Sequence, residues 1–185
     1  MNNDIQYYIL DTETTGTKEN YHEVTQISII RCSDRHQLNK YIKAEFPKRA
    51  SPDALKYTNR TMADLYKGDD RKDVVEFCNK FFEQDGVTPE FRCIVGHSIW
   101  SFDKRFLHAM WAAENKEFPA SLWLDTIPYI KEFMKKKGIE SRKFNLNYSC
   151  ELVGLKPRPG AHNAIVDTQN NYKLWKALTK THEIP

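Results

Sequence analysis

Glycine is scarce in this sequence, at seven of 185 residues, and no Gly/Ser/Pro-rich linker interrupts it. There is no internal repeat and no low-complexity stretch. One domain over residues 1–185 is therefore expected, long enough to bury a sizeable core without staples. No apolar run approaches the roughly 18 residues of a membrane helix, so no membrane association is expected. Met1-Asn2-Asn3-Asp4 has neither the basic head nor the apolar stretch of a secretory leader. The four cysteines, Cys32, Cys78, Cys93 and Cys150, form no C-x-x-C pair, which argues against a zinc ribbon. Without an export signal they read as reduced, mostly buried thiols of a cytoplasmic protein.

Charge of one sign is lacking overall. Lysine and arginine number 28 against 25 acids, a net charge of +3 that names no partner. The distribution says more. Residues 131–160 hold eight basic groups against three acids, whereas residues 1–130 hold 17 basic against 20 acidic. Local basic character of this kind suits either a phosphate-facing edge or a lysine-rich solvated helix and loop.

The apolar pattern runs in two periods. Short β-branched and aromatic runs predict strands over 7–13, 24–32 and 38–46, joined by turn-like segments, and then over 93–96 and 122–124. Helical spacing predicts a helix starting at Ser51-Pro52-Asp53, with Ser51 as a capping hydroxyl, and another over 72–84. Phe102, Phe106 and Met110 mark the next. Further helices are predicted over 127–137, over 146–155 behind a capping Asn145, and over 163–179 with Ile165, Tyr172 and Trp175 on one stripe. The expected fold is α/β: three antiparallel strands, then two parallel ones, in a mixed five-stranded sheet flanked by helices.

Carboxylates stand at the boundaries of these elements. Asp11 and Glu13 are two apart on a strand and so share one face, behind Tyr7 and Ile9. Two acids there cannot be core residues unless their charge is compensated. The turn Thr14-Thr15-Gly16 follows, at a strand end where ligands of α/β sheets gather. Asp103 opens a helix after the strand ending at Gly96, and alone it could simply stabilise that helix start. His162 closes the loop of Pro157, Pro159 and Gly160, and Asp167 lies in the first turns of the last helix. A histidine held by the loop is free of the poor helical alignment of a five-residue spacing, and alone it could be a surface cap.

In this order, Asp11-Thr12-Glu13-Thr14-Thr15-Gly16, Phe102-Asp103 with Phe106-Leu107, and His162 through Asp167 resemble the three motifs of the DnaQ-like 3′–5′ exonucleases. These form the DEDDh branch of the RNase H-like superfamily, and the resemblance spans residues 7–178. Leu124-Asp125-Thr126 and the stretch from Asn145-Leu146 to Gly154-Leu155 also look like family landmarks. Two places depart from the pattern: His97-Ser98 stand where many members carry His-Asn, one residue further from Phe-Asp, and Tyr57-Thr58-Asn59 replace a His-Gly. Both lie near the substrate groove in relatives and so bear on substrate preference.

The resemblance implies a metal-dependent exonuclease that removes 5′-mononucleotides from the 3′ end of single-stranded or frayed DNA, with RNA trimming as the alternative. A DNA polymerase or another replication or repair protein is an implied partner, as in proofreading. Four carboxylates in one pocket oppose ionisation and folding unless cations cancel their charge. Oxygen-only ligands suit two Mg²⁺ or Mn²⁺ ions rather than zinc. By resemblance Asp11, Glu13, Asp103 and Asp167 hold the metals, and His162 takes the proton from the attacking water. Thr12, Thr14 and Thr15 are expected to hold the terminal nucleotide through their backbone. Tyr57, Trp100 and Phe102 are candidates for stacking on bases, although Phe102 also suits the core. Arg142, Lys143 and Arg158 are candidate phosphate contacts. Asp125, with Thr126 before Pro128, suits a helix cap better than a ligand role.

Overall fold

The computed structural model describes residues 4–180; Met1–Asn3, part of the segment read above for a leader, and residues 181–185 lie outside it. Five strands form one sheet: β1 (Gln6–Thr14), β2 (Val24–Arg31), β3 (Gln37–Tyr41), β4 (Arg92–Gly96) and β5 (Leu122–Asp125), in the order β3-β2-β1-β4-β5. The pairs β1–β2 and β2–β3 are antiparallel, and β1–β4 and β4–β5 are parallel. The helices are α1 (Pro52–Tyr57), α2 (Arg71–Glu83), α3 (Asp103–Ala112), α4 (Thr126–Lys137), α5 (Leu146–Leu152) and α6 (Ala164–Lys180). No helix among the described residues is long and apolar enough to cross a membrane.

Strand alternation sorts β1 onto two cores. Tyr8 and Leu10 pack with Val74, Val75, Cys78, Phe81 and Phe82 of α2 and with Phe106, Leu107, Met110 and Trp111 of α3. Tyr7 and Ile9 face the opposite side, against Ile130 and Met134 of α4, Cys150 of α5, and Leu174, Trp175 and Leu178 of α6. The sheet therefore lies between two helical layers, and the strand that runs through its centre ends in Asp11 and Glu13. The four cysteines are free thiols, three of them buried and Cys32 half-buried.

Three expectations need correction. The third strand stops at Tyr41 rather than at Phe46. Beyond it the backbone of Lys43 donates to the Asp69 carbonyl and that of Ala44 to Leu65, so a neighbouring loop replaces β2 as partner. Gly68 permits this approach: its φ is +110°, and a Cβ there would lie 2.6 Å from the Tyr41 carbonyl oxygen. Ser51 does stand before α1, but its hydroxyl makes no cap bond; its backbone carbonyl takes the Leu55 N–H instead. The buried stripe of α6 runs through Ala164, Thr168, Asn171, Trp175 and Leu178, leaving Ile165 and Tyr172 half-buried. Short 3-10 turns at Pro47–Arg49, Met62–Tyr66 and Pro89–Phe91 had no expectation at all.

Candidate active site

The site stands at the C-terminal end of β1. The residues Asp11 and Glu13 leave the face that carries Tyr7 and Ile9 just where that face runs out of apolar cover. The first turn of α6 supplies Asp167 opposite them. Each of Asp11, Glu13 and Asp167 offers a carboxylate oxygen within 4.8 Å of the other two. Asp103, the first residue of α3, is buried and accepts two hydrogen bonds from Thr12, one from its N–H at 2.9 Å and one from its hydroxyl at 2.7 Å. Thr12 points to the opposite face of β1 from its neighbours, so it ties the second acid-bearing helix to the same strand.

Electrostatics in this corner are unfavourable without a counter-ion. Burial, then Asp103, Glu13 and Asp167, hold the Asp11 carboxyl well above the usual carboxylate range. Burial, then Asp167 and Asp103, push Glu13 up to about 8, against a smaller opposite pull from Arg60. Burial raises Asp103 to about 6, although the Thr12 hydrogen bonds oppose it. Asp167 is raised by burial and partly relieved by the His162 N–H, which donates to its Oδ2 at 2.8 Å. Oxygen donors at this spacing, each resisting its own negative charge, fit a hard divalent cation.

His162 has a left-handed backbone, with φ at +66°, in the loop just before α6. That turn lets its N–H reach Asp167 and bridges the five-residue spacing. The adjacent Asn163 receives the Ile165 N–H at 3.1 Å, so it caps α6. The imidazole of His162 stacks on Tyr57 at the end of α1, with ring centroids 3.6 Å apart and planes tilted by 36°. The phenol ring of Tyr57 is otherwise exposed.

The remaining candidate residues divide. The threonines Thr12, Thr14 and Thr15 are buried, and their groups are largely engaged within the protein. Thr14 donates its hydroxyl proton to the Gly16 carbonyl at 2.6 Å, and the Thr15 N–H donates to Glu23 at 2.8 Å. Trp100 is exposed, with the Lys104 ammonium 4.6 Å from its ring centre. Phe102 is half-buried against Phe106, at 4.9 Å between centroids, on the edge of the core. Arg142 and Lys143 are exposed in the loop between α4 and α5. Arg158 is fixed to α6: its N–H donates to Asn170 at 2.9 Å and its guanidinium to Gln169. Asp125 caps α4 by accepting the Ile127 N–H at 2.9 Å, and Asn145 caps α5 by accepting that of Tyr148 at 3.0 Å.

Of two further polar residues near the site, Arg60 had no warning in the sequence and His97 stood out only as part of a departure from the family pattern. Arg60 donates to the Thr25 and Asp64 carbonyls, which leaves its charge standing behind Glu13. His97 is buried enough that its pKa is lowered. Its Nε2–H donates to the Phe144 carbonyl, and its Nδ1 meets the Thr126 hydroxyl at 2.8 Å. Arg60 is a lone polar residue in a loop that only its spatial neighbours reveal.

Residues 8–175 match the family model RNase_T, described as exonuclease. No curated protein matches the chain by sequence. E. coli exonuclease I in complex with a dT13 oligonucleotide is similar at a TM-score of 0.79 and 18% identity, over 96% of this chain and 41% of that one. The same enzyme has also been solved with zinc and single-stranded DNA bound. The cell-death related nuclease CRN-4 gives a TM-score of 0.77 at 18% identity, over 96% of this chain and 64% of its own. A 3′-exonuclease that recognises the histone mRNA stem-loop gives 0.74 at 14% identity, over 98% of this chain and 67% of its own. The chain spans about two fifths of the length of exonuclease I. With its family model matched over most of its length, the chain belongs to the RNase_T exonucleases, nuclease hydrolases of the DnaQ-like, RNase H-like fold.

Proposed function

We propose that this protein, as one exonuclease domain over residues 1–185, is a divalent-metal-dependent 3′–5′ exonuclease acting on single-stranded or frayed DNA. The observation that carries the reading is the meeting of Asp11, Glu13 and Asp167 within 4.8 Å, with Asp103 held beside them by Thr12. Those four residues would hold two Mg²⁺ or Mn²⁺ ions, Asp103 directly or through water. When bound, such ions polarise the scissile phosphate and stabilise the attacking and leaving oxygens of an in-line displacement.

His162 acts as the general base. It removes a proton from the attacking water as the water oxygen bonds to phosphorus. The bond from phosphorus to the 3′ oxygen of the penultimate nucleotide breaks, and a nucleoside 5′-monophosphate leaves. The stacking of Tyr57 on His162 keeps the imidazole beside the carboxylates, and the exposed part of Tyr57 offers a surface to the terminal base. Trp100 and Phe102 would stack on bases, and Arg142, Lys143 and Arg158 would contact phosphates.

Purified protein should shorten a 5′-labelled oligonucleotide from its 3′ end with Mg²⁺ or Mn²⁺ and stop with EDTA. Zinc belongs in the same panel, since exonuclease I has been solved with it. The variants Asp11→Ala and Asp167→Ala should each lose at least about a thousandfold in rate, the several kcal/mol that a metal clamp supplies. Undiminished activity in either variant would overturn the assignment. The likeness to a histone mRNA 3′-exonuclease favours RNA as a second reading, and matched DNA and RNA strands separate the two. A polymerase or other replication or repair partner is the finer form of the proposal, tested by pull-down. A cytoplasmic setting suits the four free thiols.

A further inference from the structure

The groove between α4 and the loop over residues 138–145 lies outside the carboxylate site. It encloses about 560 Å³ over a floor that includes Met134 and Phe144, and Lys131, Lys135 and Arg142 line it with a single acid, Glu140. A lysine at a helix C-terminus is favoured by the helix dipole, which accounts for Lys135. It does not account for Lys131, in the middle of α4, nor for Arg142, beyond its end. Lys131 and Lys135 are four residues apart, so two like charges share one helical face at a cost to helix stability. The Lys131 ammonium sits 5.0 Å from the centre of the Phe144 ring, which turns it toward the loop rather than away from it. Among the described residues neither Lys131 nor Lys135 has an ion-pair partner.

The wall of this groove is joined to the catalytic end. His97 directly follows β4, and its Nε2–H holds the Phe144 carbonyl. The loop that starts at His97 runs on to Asp103. The Phe144 end of the groove is therefore one hydrogen bond away from the loop that carries Asp103. Resting on the nuclease reading above, we propose that this groove binds the backbone phosphates of the single-stranded substrate at a distance from the scissile bond. Repelling cations converge there because a polyanion relieves the repulsion. The floor of Met134 and Phe144 accepts sugars and base edges without choosing a sequence.

The test compares the full chain with a Lys131→Glu/Lys135→Glu variant, and with Lys131→Gln/Lys135→Gln in case the charge reversal misfolds. Binding of fluorescent single-stranded DNA and RNA of about 20 nucleotides is measured without metal, over a range of salt. Hydrolysis of the p-nitrophenyl ester of thymidine 5′-phosphate, which fills only the catalytic centre, is measured with Mn²⁺. The proposal expects about a tenfold loss of long-strand affinity and a salt slope shallower by about 1.4, two phosphate contacts' worth, with ester hydrolysis unchanged. Unchanged affinity and slope would overturn it, as would an equal loss of heparin binding, which marks a general anion surface. DNA and RNA losing affinity equally assigns the contact to phosphate; loss on one alone assigns it to that strand. If the wild type fails to hydrolyse the ester, the nuclease reading falls, while the binding arm still decides on the groove.

Discussion

Burial of Asp11, Glu13, Asp103 and Asp167, and behind it their mutual repulsion, sets how the metal-free protein responds to pH. In the folded state Glu13 holds its proton up to about 8 rather than 4.5, and Asp11 is also raised. The folded chain then binds more protons than the unfolded chain above the usual carboxylate range, so stability falls as pH rises through that window. His97 and His108 have lowered pKa values from burial and act in the opposite sense below about pH 6.5. Between about pH 6.5 and 8, melting temperature in EDTA should therefore fall, and Glu13→Gln should flatten the fall. Saturating Mn²⁺ should abolish it; a melting temperature that climbs across this range in EDTA would contradict the account. At the same scale, His162→Ala should slow the reaction by about a hundredfold to ten-thousandfold, while calorimetry still finds Mn²⁺ bound. Strand alternation put Asp11 and Glu13 on one face, while Asp103 and Asp167 joined them through the resemblance of the motifs to the DnaQ-like exonucleases. The stacking of Tyr57 on His162 and the position of Arg60 were not legible in the sequence, because both join segments that are far apart in the chain and follow no period.

The elements were mostly visible as well. Alternating β-branched runs and helical spacing placed β1, β2, β4, β5, α2, α4 and α6 close to their observed limits, whereas α5 ends at Leu152 rather than Leu155. What escaped was decided by partners rather than by local pattern. Residues 42–46 have strand composition, yet beyond Ile42, which still donates to Thr25 of β2, the N–H groups of Lys43 and Ala44 go to the loop at 65–69 and those of Glu45 and Phe46 to the Glu23 carboxylate. Gly68 is the hinge of that exchange, and Gly68→Ala should cost about 1–3 kcal/mol, since alanine would combine a strained φ with a collision on Tyr41. Denaturant melts read this cost directly. A neutral effect would mean that the loop yields and that residues 42–44 are not held by it. The stripe of α6 was misplaced for a related reason. Polar Thr168 and Asn171 occupy its buried face, and a search for apolar spacing passes over them.

Across the whole molecule β1 has two ends with different duties. Near its start, Tyr8 donates its hydroxyl to Asp85 at 2.6 Å, and Arg92 of β4 grips the same carboxylate through Nε and Nη2, each at 2.8 Å. The ion pair is almost fully buried, with side-chain exposures of 5% and 2%. Burial alone would raise the Asp85 pKa, but the hydrogen bonds from Arg92, Tyr8 and Val87 outweigh it and lower it. Its stabilisation is present above the usual carboxylate range and is lost as pH falls through the lowered value. Asp85→Asn should cost about 3–5 kcal/mol, because it strands a buried guanidinium. Nuclease activity measured well below the melting temperature should survive, since the clamp is at the opposite end of the strand from the carboxylates. A variant that melts normally, or one that is folded and inactive, would break this division.

β1 is the middle strand of the sheet, flanked antiparallel on one side and parallel on the other. Sliding it by a single residue would turn Asp11 and Glu13 inward among Phe106, Trp111 and their neighbours, and pull the Tyr8 hydroxyl from its acceptor. Misalignment is thus penalised at both extremities together. The buried carboxylates that make the chain costly to fold also make a shifted fold costlier still, so the site and the fidelity of assembly are inherited as one trait.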